Sequence, residues 1–502
     1  MSADHSGDSA AASLAVVPLA AVPLAADAPR IAIVGGGLAG LAAAVALAGR
    51  GFRIDLFESR TRLGGRATSF TDPESGELVD HCQHVSMGCC TNLADFCHRT
   101  GISGQFSRQR VLHFFSPEGR RDDLSASRWL PAPLHLLPSL LRLSYLSLGE
   151  RLSIVQAMLR LIRLPSNDSK SPPNGETIGR WLHQQRQSPR AIERFWSVVL
   201  TSALGENVER ASLAHARKVF IDGFLASRTA YEVEVPNIPL GELYGRRLED
   251  WLTRHGVTLH LGEAIEKVDA DAHRAAGLLL RNGTRVWADA IVLAAPWQRV
   301  AALIPPDAAA ALPWLSGLAR IGGSPITGIH LWFDRQLFPL PNAALVGMLS
   351  QWVFSRGTNA REDSANCEHY YQVVISASRQ IAGRDRAEVV EEICSELKRI
   401  WPAARAARLL RWRLVTEQAA VFSVQPGIEG LRPGQKTSID RLFVAGDWTR
   451  TGWPATMEGA VRSGYLAAEA LLRSRGQSER ILVADLSRGL LARLILGKPI
   501  ES

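Results

Sequence analysis

The chain has 502 residues, of which 46% are hydrophobic and 21% charged. These values are typical of a folded protein with a large core, and the length is sufficient for two or three domains. The formal net charge is +8, but the basic residues are scattered and accompany no nucleic-acid-binding motif, so no nucleic-acid partner is expected.

Residues 1–29 are rich in alanine and contain three prolines. Asp4 and Asp8 stand where a secretory signal peptide carries basic residues, so we expect a disordered extension. The chain contains no run of about 18 uninterrupted apolar residues, and we therefore expect no membrane-spanning helix. The expected location is the cytoplasm, and peripheral contact with the inner face of the membrane stays open.

The first predicted unit is a strand, a glycine-rich turn and a helix. Ile31–Val34 is an apolar run, Gly35, Gly37 and Gly40 have the spacing G-x-G-x-x-G, and residues 38–47 are almost all Leu, Ala and Val. A second strand ends at Glu58, where a carboxylate can accept hydrogen bonds from a ribose. This order predicts a dinucleotide site, because the turn and the helix N-terminus present N–H groups to a pyrophosphate. The cofactor-binding residues predicted here are Gly35, Gly36, Gly37, Leu38, Ala39, Gly40, Glu58, Ser59 and Arg60.

A second motif, Leu63-Gly-Gly-Arg66, follows at once. It resembles the second FAD motif of the amine oxidase and phytoene desaturase superfamily. The resemblance implies that the cofactor is FAD and that Gly64, Gly65 and Arg66 lie against its diphosphate. A guanidinium suits that place, since it can bind phosphate through two donors.

The segment from Leu78 to Leu93 resembles hydroxysqualene dehydroxylases, which carry an Asp, Asn, Gly, Gln, His run before a Gly-Cys-Cys segment. Asp80, Gln83 and His84 match that run, whereas His81 and Cys82 replace its Asn-Gly. The resemblance implies a position beside the flavin ring. We expect His84 to be a general acid oriented by Asp80, with Gln83 as a hydrogen-bond partner of the flavin or of a substrate hydroxyl.

Four cysteines, Cys82, Cys89, Cys90 and Cys97, crowd into the same segment. Their C-x6-C-C-x6-C spacing differs from the C-x2-C pairs of zinc and iron–sulfur sites. No metal is therefore expected, and reduced thiols that pack as small hydrophobic groups are the interpretation we favour.

An apolar stretch with interspersed prolines and arginines extends from Pro131 to Leu164. Phytoene desaturase-like enzymes carry membrane-facing helices and a channel mouth in the matching region. Leu140, Leu141, Leu143, Tyr145, Leu146 and Leu148 can form an amphipathic surface, although a helical core fits the pattern equally well.

Two further pieces complete the predicted cofactor site. Leu442–Ala445 is a strand that ends at Gly446 and Asp447, and a helix begins near Met457. By resemblance Asp447 meets the ribityl and pyrophosphate region, and Ala455, Thr456 and Met457 lie at the flavin pyrimidine. Residues 288–296 resemble a strand that returns to the cofactor domain, and the backbone of Val268 would pair with adenine.

Two positions argue against amine oxidation. Amine oxidases of this superfamily carry Gly-Ser-x-x-Lys where this chain has Gly323-Ser-Pro-Ile-Thr327. They also place an aromatic cage residue at the position of Thr456, and an aromatic cage favours a cationic amine. No second dinucleotide motif with strand context is present, so electrons are expected to be exchanged with an external donor or reductase.

The predicted fold class is α/β, with a glutathione-reductase-like (Rossmann-type) FAD-binding domain and an inserted α+β substrate domain. The predicted segments are 1–29 (extension), 30–104, 230–300 and 436–475 (FAD-binding domain), 105–229 and 301–435 (substrate domain), and 476–502 (tail).

By resemblance the activity is the reductive removal of the hydroxyl of hydroxysqualene to give squalene, in hopanoid biosynthesis. Squalene-synthase-like enzymes of the same route are then possible contacts. The alternatives are a phytoene or carotenoid-type desaturase, a flavin amine oxidase, and a non-catalytic isoprenoid-binding relative such as the Rab escort proteins.

Overall fold

A five-stranded parallel sheet forms the base of the cofactor half of the molecule. We describe residues 25, 27–164, 175–359 and 368–497 of a computed structural model, so most of the predicted N-terminal extension and the end of the tail lie outside the described residues. The strand order is β10 (Val257–Leu261), β2 (Arg53–Glu58), β1 (Arg30–Val34), β14 (Ala290–Leu293), β20 (Leu442–Val444).

The three parts of the chain that were predicted to form the cofactor domain all contribute strands to this sheet. Strands β14 and β20 are buried along their whole length, as expected of a parallel sheet covered on both faces. The predicted fold class is confirmed. The finer domain limits stay a prediction.

Helix α1 (Leu38–Leu47) is buried at every residue and packs against α15 (Met457–Ser474). Gly464 allows the close approach, because a Cβ there would lie 2.3 Å from the carbonyl oxygen of Ala39. Helices α2 (Thr91–Arg99) and α9 (Arg247–Arg254) extend the same layer. The N-termini of α1 and α15 are thus held in one rigid pair.

A seven-stranded sheet forms the second half, and all its neighbouring strands are antiparallel except β16 and β7. Alternate side chains of β15 divide its two faces: Ile329 and Leu331 pack with the helix α13 (Arg386–Ile400), while Ile326 faces a cavity. The order is β19 (Leu409–Phe422), β15 (Gly323–Phe333), β18 (Glu368–Ser376), β17 (Trp352–Asn359), β16 (Asn342–Leu345), β7 (Leu112–Phe115), β8 (Arg121–Leu124).

Helices cover the cavity on the side opposite this sheet. They are α3 (Leu137–Arg142), α4 (Leu148–Arg163), α5 (Ile178–Gln184), α6 (Pro189–Ala191), α7 (Val198–Leu204) and α8 (Leu213–Phe220), with π-helical turns at Ile192–Ser197 and Ile221–Leu225. A third π-helical turn, Gly241–Arg246, leads into α9 in the cofactor half. Helix α4 begins with a capping box in which Ser147 and Glu150 bind each other's backbone N–H groups.

The remaining elements are short. The helices are α10 (Trp297–Leu303), α11 (Pro306–Ala309), α12 (Leu315–Leu318), α14 (Pro402–Ala406) and α16 (Leu490–Leu496), with 3₁₀ turns at Ser103–Gln105, Ser378–Ile381 and Ile428–Leu431. The strands are β3 (Ser69–Thr71), β4 (Leu78–Asp80), β5 (Ser86–Met87), β6 (Phe106–Gln109), β9 (Val233–Pro236), β11 (Ile265–Ala270), β12 (Ala275–Leu280) and β13 (Arg285–Trp287).

The amphipathic surface predicted over residues 140–148 is not formed as proposed. Leu143, Tyr145 and Leu146 are only 2–3% exposed, because the chain turns inward between α3 and α4. Leu148 of the predicted set is exposed at the start of α4, and the other exposed apolar side chains nearby are Leu134 before that helix and Leu152 and Leu159 on it. Within the described residues, no helix combines the length and the apolar composition that crossing a bilayer would require.

Candidate active site

One cavity of about 1100 Å³ runs from the carboxyl edge of the parallel sheet to the space between the seven-stranded sheet and the helical layer. Its first end is polar and is lined by Glu58, Ser59, Arg60, Arg281 and Arg299. Its second part is apolar and is lined by side chains such as Leu112, Leu140, Phe195, Val198, Phe224 and Trp352. A cofactor groove and an apolar chamber are therefore continuous.

The glycine turn after β1 has the geometry that its spacing predicts. Gly35 has φ +113°, and a Cβ there would lie 2.6 Å from the carbonyl oxygen of Ala294. A Cβ at Gly40 would lie 1.9 Å from the carbonyl oxygen of Gly35. Gly37, Leu38 and Ala39 line the cavity, so the N-terminus of α1 faces it.

Glu58 lies at the end of β2, as expected, and its carboxylate is already held by the protein. Its Oε2 accepts a hydrogen bond from the N–H of Gly36 at 2.8 Å, and its Oε1 accepts one from the N–H of Arg60 at 2.9 Å and one from the hydroxyl of Ser59 at 3.1 Å. Each carboxylate oxygen has two lone pairs, so Oε2 keeps the capacity to accept from a ribose hydroxyl. Gly36 therefore orients Glu58 rather than lining the cavity.

Arg66 and Asp447 lie far apart in the chain and meet across the groove. The guanidinium donates to Oδ1 of Asp447 at 2.7 Å and to the carbonyl oxygen of Ala420 at 2.8 Å. Gly64 and Gly65 line the same wall with φ of +99° and +61°. The two FAD motifs thus form one site.

The segment before α15 supplies the opposite wall. Thr456 caps the helix by accepting from the N–H of Gly459 at 3.0 Å, and Ala455, Thr456 and Met457 all line the cavity. The first N–H groups of the helix point toward that space, which suits a ring that carries negative charge when reduced. Gly446 also lines it, and its N–H donates to the hydroxyl of Ser463 at 2.8 Å. Together these groups fit a bound FAD.

Val268 does not take its predicted place. It is 1% exposed, pairs with Leu278 within the antiparallel sheet of β11 and β12, and does not line the cavity. Ala264 and Ile265, at the start of β11, do line it. Of β11, only the first residue therefore reaches the groove, and which backbone group pairs with adenine stays a prediction.

The predicted trio of Asp80, Gln83 and His84 is only partly assembled. Asp80 is buried and accepts hydrogen bonds from the hydroxyl of Ser69 at 2.6 Å and the N–H of Leu240 at 2.7 Å. Gln83 and His84 line the cavity. Asp80 therefore fixes the base of the loop, and the expectation that it orients His84 by a hydrogen bond is wrong.

The carbonyl oxygen of Cys82 orients His84 instead. It lies 2.9 Å from Nδ1 of the ring, and since a carbonyl only accepts, Nδ1 carries the proton and Nε2 of the neutral ring is an acceptor. Burial lowers the pKa of His84 below the ordinary value of 6.5. At neutral pH the neutral ring can accept a proton at Nε2, and the role of general acid, which requires the protonated ring, stays a prediction.

The side chain of Gln83, on the same wall of the cavity, has one polar atom with a hydrogen-bond partner and one without. Its Nε2 donates to the carbonyl oxygen of His84 at 3.0 Å, while its buried Oε1 has no hydrogen-bond partner within the described structure. Buried polar atoms are nearly always paired. Oε1 therefore has a free capacity to accept a hydrogen bond, and the predicted bond to a cofactor or a substrate hydroxyl stays a prediction.

Thr327 does not face the cavity. Its hydroxyl bonds with those of Ser378 at 2.8 Å and Thr416 at 2.9 Å, and the neighbouring Ile326 lines the cavity instead. The position compared with the lysine of amine oxidases is therefore on the opposite face of β15. A lysine from a different element, Lys218, does line the cavity, and the sequence analysis did not identify it.

The cysteines of the segment are free thiols. Cys82, Cys89 and Cys90 line the cavity, and burial raises the pKa of Cys82 to about 12. A hydrogen bond with Cys89 and burial raise the pKa of Cys90 as well, so the thiols of Cys82 and Cys90 are protonated at neutral pH. Within the part of the chain that the structure describes, no group of three His, Cys, Asp or Glu side chains is placed to hold a metal ion.

The fold and the cavity define an FAD-dependent oxidoreductase. A family model described as flavin containing amine oxidoreductase matches residues 38–472, and the chain belongs to that family.

Three known proteins illustrate the relationship. The 15-cis-phytoene desaturase of Solanum lycopersicum is 24% identical over 465 residues, covering 88% of this chain and 78% of that protein. The 15-cis-phytoene desaturase of Synechococcus elongatus is 26% identical over 472 residues, covering 90% and 97%. The solved structure of cyclohexylamine oxidase from Brevibacterium oxydans superimposes with a TM-score of 0.67 at 17% identity, covering 89% of this chain and 100% of that one. This last similarity shows the fold alone.

Proposed function

We propose that the protein is an FAD-dependent desaturase of a long isoprenoid hydrocarbon. The sequence leaves this function open as an alternative, and the phytoene desaturases among the relatives of the chain support it better than they support hydroxysqualene dehydroxylation. The location in the cytoplasm and the external electron carrier are parts of the same proposal.

The observation that carries the proposal is the continuity of the cofactor groove with an apolar chamber. The whole cavity measures about 1100 Å³ and its second part is walled by aliphatic and aromatic side chains. Such a space removes water from a long hydrocarbon, which is favourable in proportion to the apolar area buried. A small polar amine would leave most of this wall unused.

Different residues of the site bind the cofactor and accept the proton. Glu58, Arg66 and Asp447 hold the cofactor, and FAD when bound supplies the acceptor for a hydride. Desaturation also releases a proton from the neighbouring carbon, and the neutral ring of His84 accepts it at Nε2. Gln83 lines the same cavity and keeps a buried Oε1 without a partner among the described residues, and we propose that this oxygen accepts a hydrogen bond when the cofactor is bound.

A second candidate, the dehydroxylation of hydroxysqualene, is favoured by one observation. The ammonium of Lys218 donates to Asp222 at 2.9 Å, lies 4.6 Å from the ring centroid of Trp453, and lines the cavity. A departing hydroxyl must be protonated, and an ammonium is a proton donor, whereas a pure hydrocarbon makes no use of one. We expect Lys218→Met to lower activity on hydroxysqualene and to leave activity on phytoene unchanged.

Anaerobic mixing distinguishes the two reactions. We expect the visible absorbance of the oxidised flavin to bleach when phytoene is added, with one new double bond formed per flavin. If instead only the reduced protein reacts, regaining its colour as hydroxysqualene becomes squalene and water, the dehydroxylase is correct. Purified protein that is without flavin, or inert toward both substrates, would contradict both functions.

A further inference from the structure

A buried arginine lies behind the turn that carries Asp447. Arg432 is 1% exposed, follows the 3₁₀ turn Ile428–Leu431, and does not line the cavity. A guanidinium group stays charged inside a protein, so its burial is costly unless its donors are bonded. Arg432 is part of no motif in the sequence, and its hydrogen-bond partners therefore indicate its role.

The guanidinium group of Arg432 binds the turn that follows β20. Nη2 donates to the carbonyl oxygens of Asp447 at 2.9 Å and Thr449 at 2.6 Å, and Nε donates to the same oxygen of Thr449 at 3.0 Å. Nη2 also lies 3.1 Å from the hydroxyl oxygen of Thr451, which accepts from the N–H of Trp453 at 3.2 Å. One side chain thus holds residues 447, 449 and 451 together.

The turn depends on this support because regular structure does not satisfy its backbone. Gly446 has φ +145°, and a Cβ there would lie 2.2 Å from Nε1 of Trp448. The N–H of Thr449 returns to the carbonyl oxygen of Gly446 at 2.9 Å, so the chain reverses within four residues. The carbonyl groups of Asp447 and Thr449 lie outside any helix or strand, and the guanidinium group of Arg432 is their donor.

Asp447 faces the cofactor groove with its side chain. It lines the cavity, is 3% exposed, and its Oδ1 accepts from Arg66 at 2.7 Å. A polar group binds a ligand tightly when it is already held in the bound position, because no ordering cost is then added. Arg66 fixes the carboxylate from within the groove, and Arg432 fixes the main chain of the same residue from outside the cavity.

The other end of the guanidinium group is tied to the helical layer. Nη1 donates to Oε1 of Glu429 at 2.5 Å, and that oxygen also lies 3.1 Å from Nε2 of His215 on α8. Glu429 is the one ion-pair partner of Arg432 within the described residues. Lys218 and Phe220 of the same helix line the cavity. Arg432 therefore connects a helix of the cavity wall to the cofactor turn.

We propose that Arg432 is a positioning residue of the cofactor site, which strengthens FAD binding by holding Asp447 in place. The proposal rests on the role of Asp447 toward FAD and is independent of the substrate that the chamber takes. A purely structural arginine would have the same effect on FAD affinity with and without the carboxylate of Asp447. A double-mutant cycle therefore separates the two roles.

The test is fluorescence titration of the apoproteins with FAD. We expect Arg432→Met to weaken binding by about tenfold, because FAD must then order the turn as it binds. In the Asp447→Ala background the same change should weaken binding by less than about threefold, since the carboxylate that Arg432 positions is already absent. Where the methionine variant does not fold, Arg432→Lys serves in the cycle, because lysine keeps the charge but lacks the fork that spans the turn.

Arg488→Met is the matched control for the loss of a buried arginine. Arg488 is 7% exposed, donates to the carbonyl oxygen of Leu496 at 2.9 Å and to Asp222 at 2.9 Å, and does not line the cavity. Its removal should lower stability and leave FAD affinity unchanged. Urea unfolding of each apoprotein measures stability and verifies the fold.

Glu429→Gln separates the turn from the ion pair. It removes the charge of the partner but keeps the bonds of Arg432 to the turn, so FAD affinity should change by less than about twofold.

Four results would overturn the proposal: no loss of affinity in the Arg432 variant, an equal loss in the Arg488 or the Glu429 variant, an undiminished loss in the Asp447→Ala background, or no effect of Asp447→Ala itself. Activity toward phytoene tests the proposed function separately, since FAD affinity is measured without substrate.

Discussion

Arg66 joins the two distant halves of the cofactor site. We expect Arg66→Ala to weaken FAD binding by about 10- to 100-fold, since it removes a charge-assisted donor at the diphosphate and leaves Asp447 without its ion pair. Fluorescence titration of the apoprotein with FAD measures this affinity. Arg99→Ala is the matched control, because Arg99 has a similar exposure and a carboxylate partner, Asp95, at the same 2.7 Å, but lies outside the cavity. An equal effect in both variants would assign Arg66 a purely structural role.

His84 gives the reaction a pH dependence with a defined sign. Because burial lowers its pKa below 6.5, the neutral form that accepts a proton prevails at and above that pH. Activity should therefore be level from pH 8 to about 6.5 and fall only as the pH drops through the lowered pKa. The nearby Asp80 opposes this lowering and Arg66 reinforces it.

We expect His84→Gln to reduce turnover by about 100-fold and to abolish this acid limb, while flavin content is unchanged. The exposed His98, which does not line the cavity, gives the control His98→Gln. If the acid limb persists in the His84 variant, another group accepts the proton. Turnover at several pH values for both variants decides this.

At the scale of elements, the pair of helices α1 and α15 sets the distance between the two ends of the cofactor. Gly464→Ala should lower the free energy of unfolding by about 1–3 kcal/mol, because the new Cβ meets the backbone of Ala39 and forces the helices apart. Weaker FAD binding should accompany the change. Thermal and urea unfolding of the holoprotein measure the first effect.

Gly149→Ala is the matched control for that substitution. Gly149 is an exposed residue of α4 with no atom within 4 Å of its would-be Cβ. Alanine there should leave stability unchanged or raise it by up to about 1 kcal/mol, since glycine is a poor helix former. Equal destabilisation by both substitutions would refute the packing argument.

The local sequence pattern predicts some features of the structure correctly and cannot predict others. The limits of α1 were predicted to the residue because Gly37, Gly40 and an unbroken apolar run lie next to each other in the chain. The contact of Gly464 with Ala39 and the place of Lys218 in the cavity wall could not be predicted, since both depend on how distant parts of the chain pack. Asp80 shows the same limit, because its hydrogen-bond partners Ser69 and Leu240 are brought to it only by folding.

At the scale of the whole molecule, the ion pair between the buried carboxylate of Glu206 and Arg379 ties the helical layer to the seven-stranded sheet. Burial alone would raise the pKa of Glu206, but hydrogen bonds from Arg379 and Ser423 outweigh it, so the pKa lies below its ordinary value of 4.5. A lowered carboxylate pKa contributes stability that is present above 4.5 and lost as the pH falls through the lowered value.

We expect Glu206→Gln to lower the free energy of unfolding by about 2–4 kcal/mol at pH 7, and this difference should shrink as the pH drops below 4.5. Asp269→Asn, which removes an exposed pair with Arg285 at 3.5 Å, should cost less than about 1 kcal/mol. Urea unfolding across the pH range measures both. A pH-independent deficit in the Glu206 variant would show that charge is not its contribution.

The cavity has the cofactor groove at one end, and at the other it reaches the surface beside Leu134, Leu159 and Ile495, which line it and are 38–44% exposed; we call this opening the mouth. A hydrocarbon that enters by the mouth therefore presents one of its tips to the flavin, and it must back out the way it came. To be modified at both tips, the molecule has to withdraw completely, turn end over end in the surrounding phase, and enter again. Intermediates changed on one half only should consequently accumulate early in the reaction, and their yield should fall as the concentration of fresh substrate is lowered.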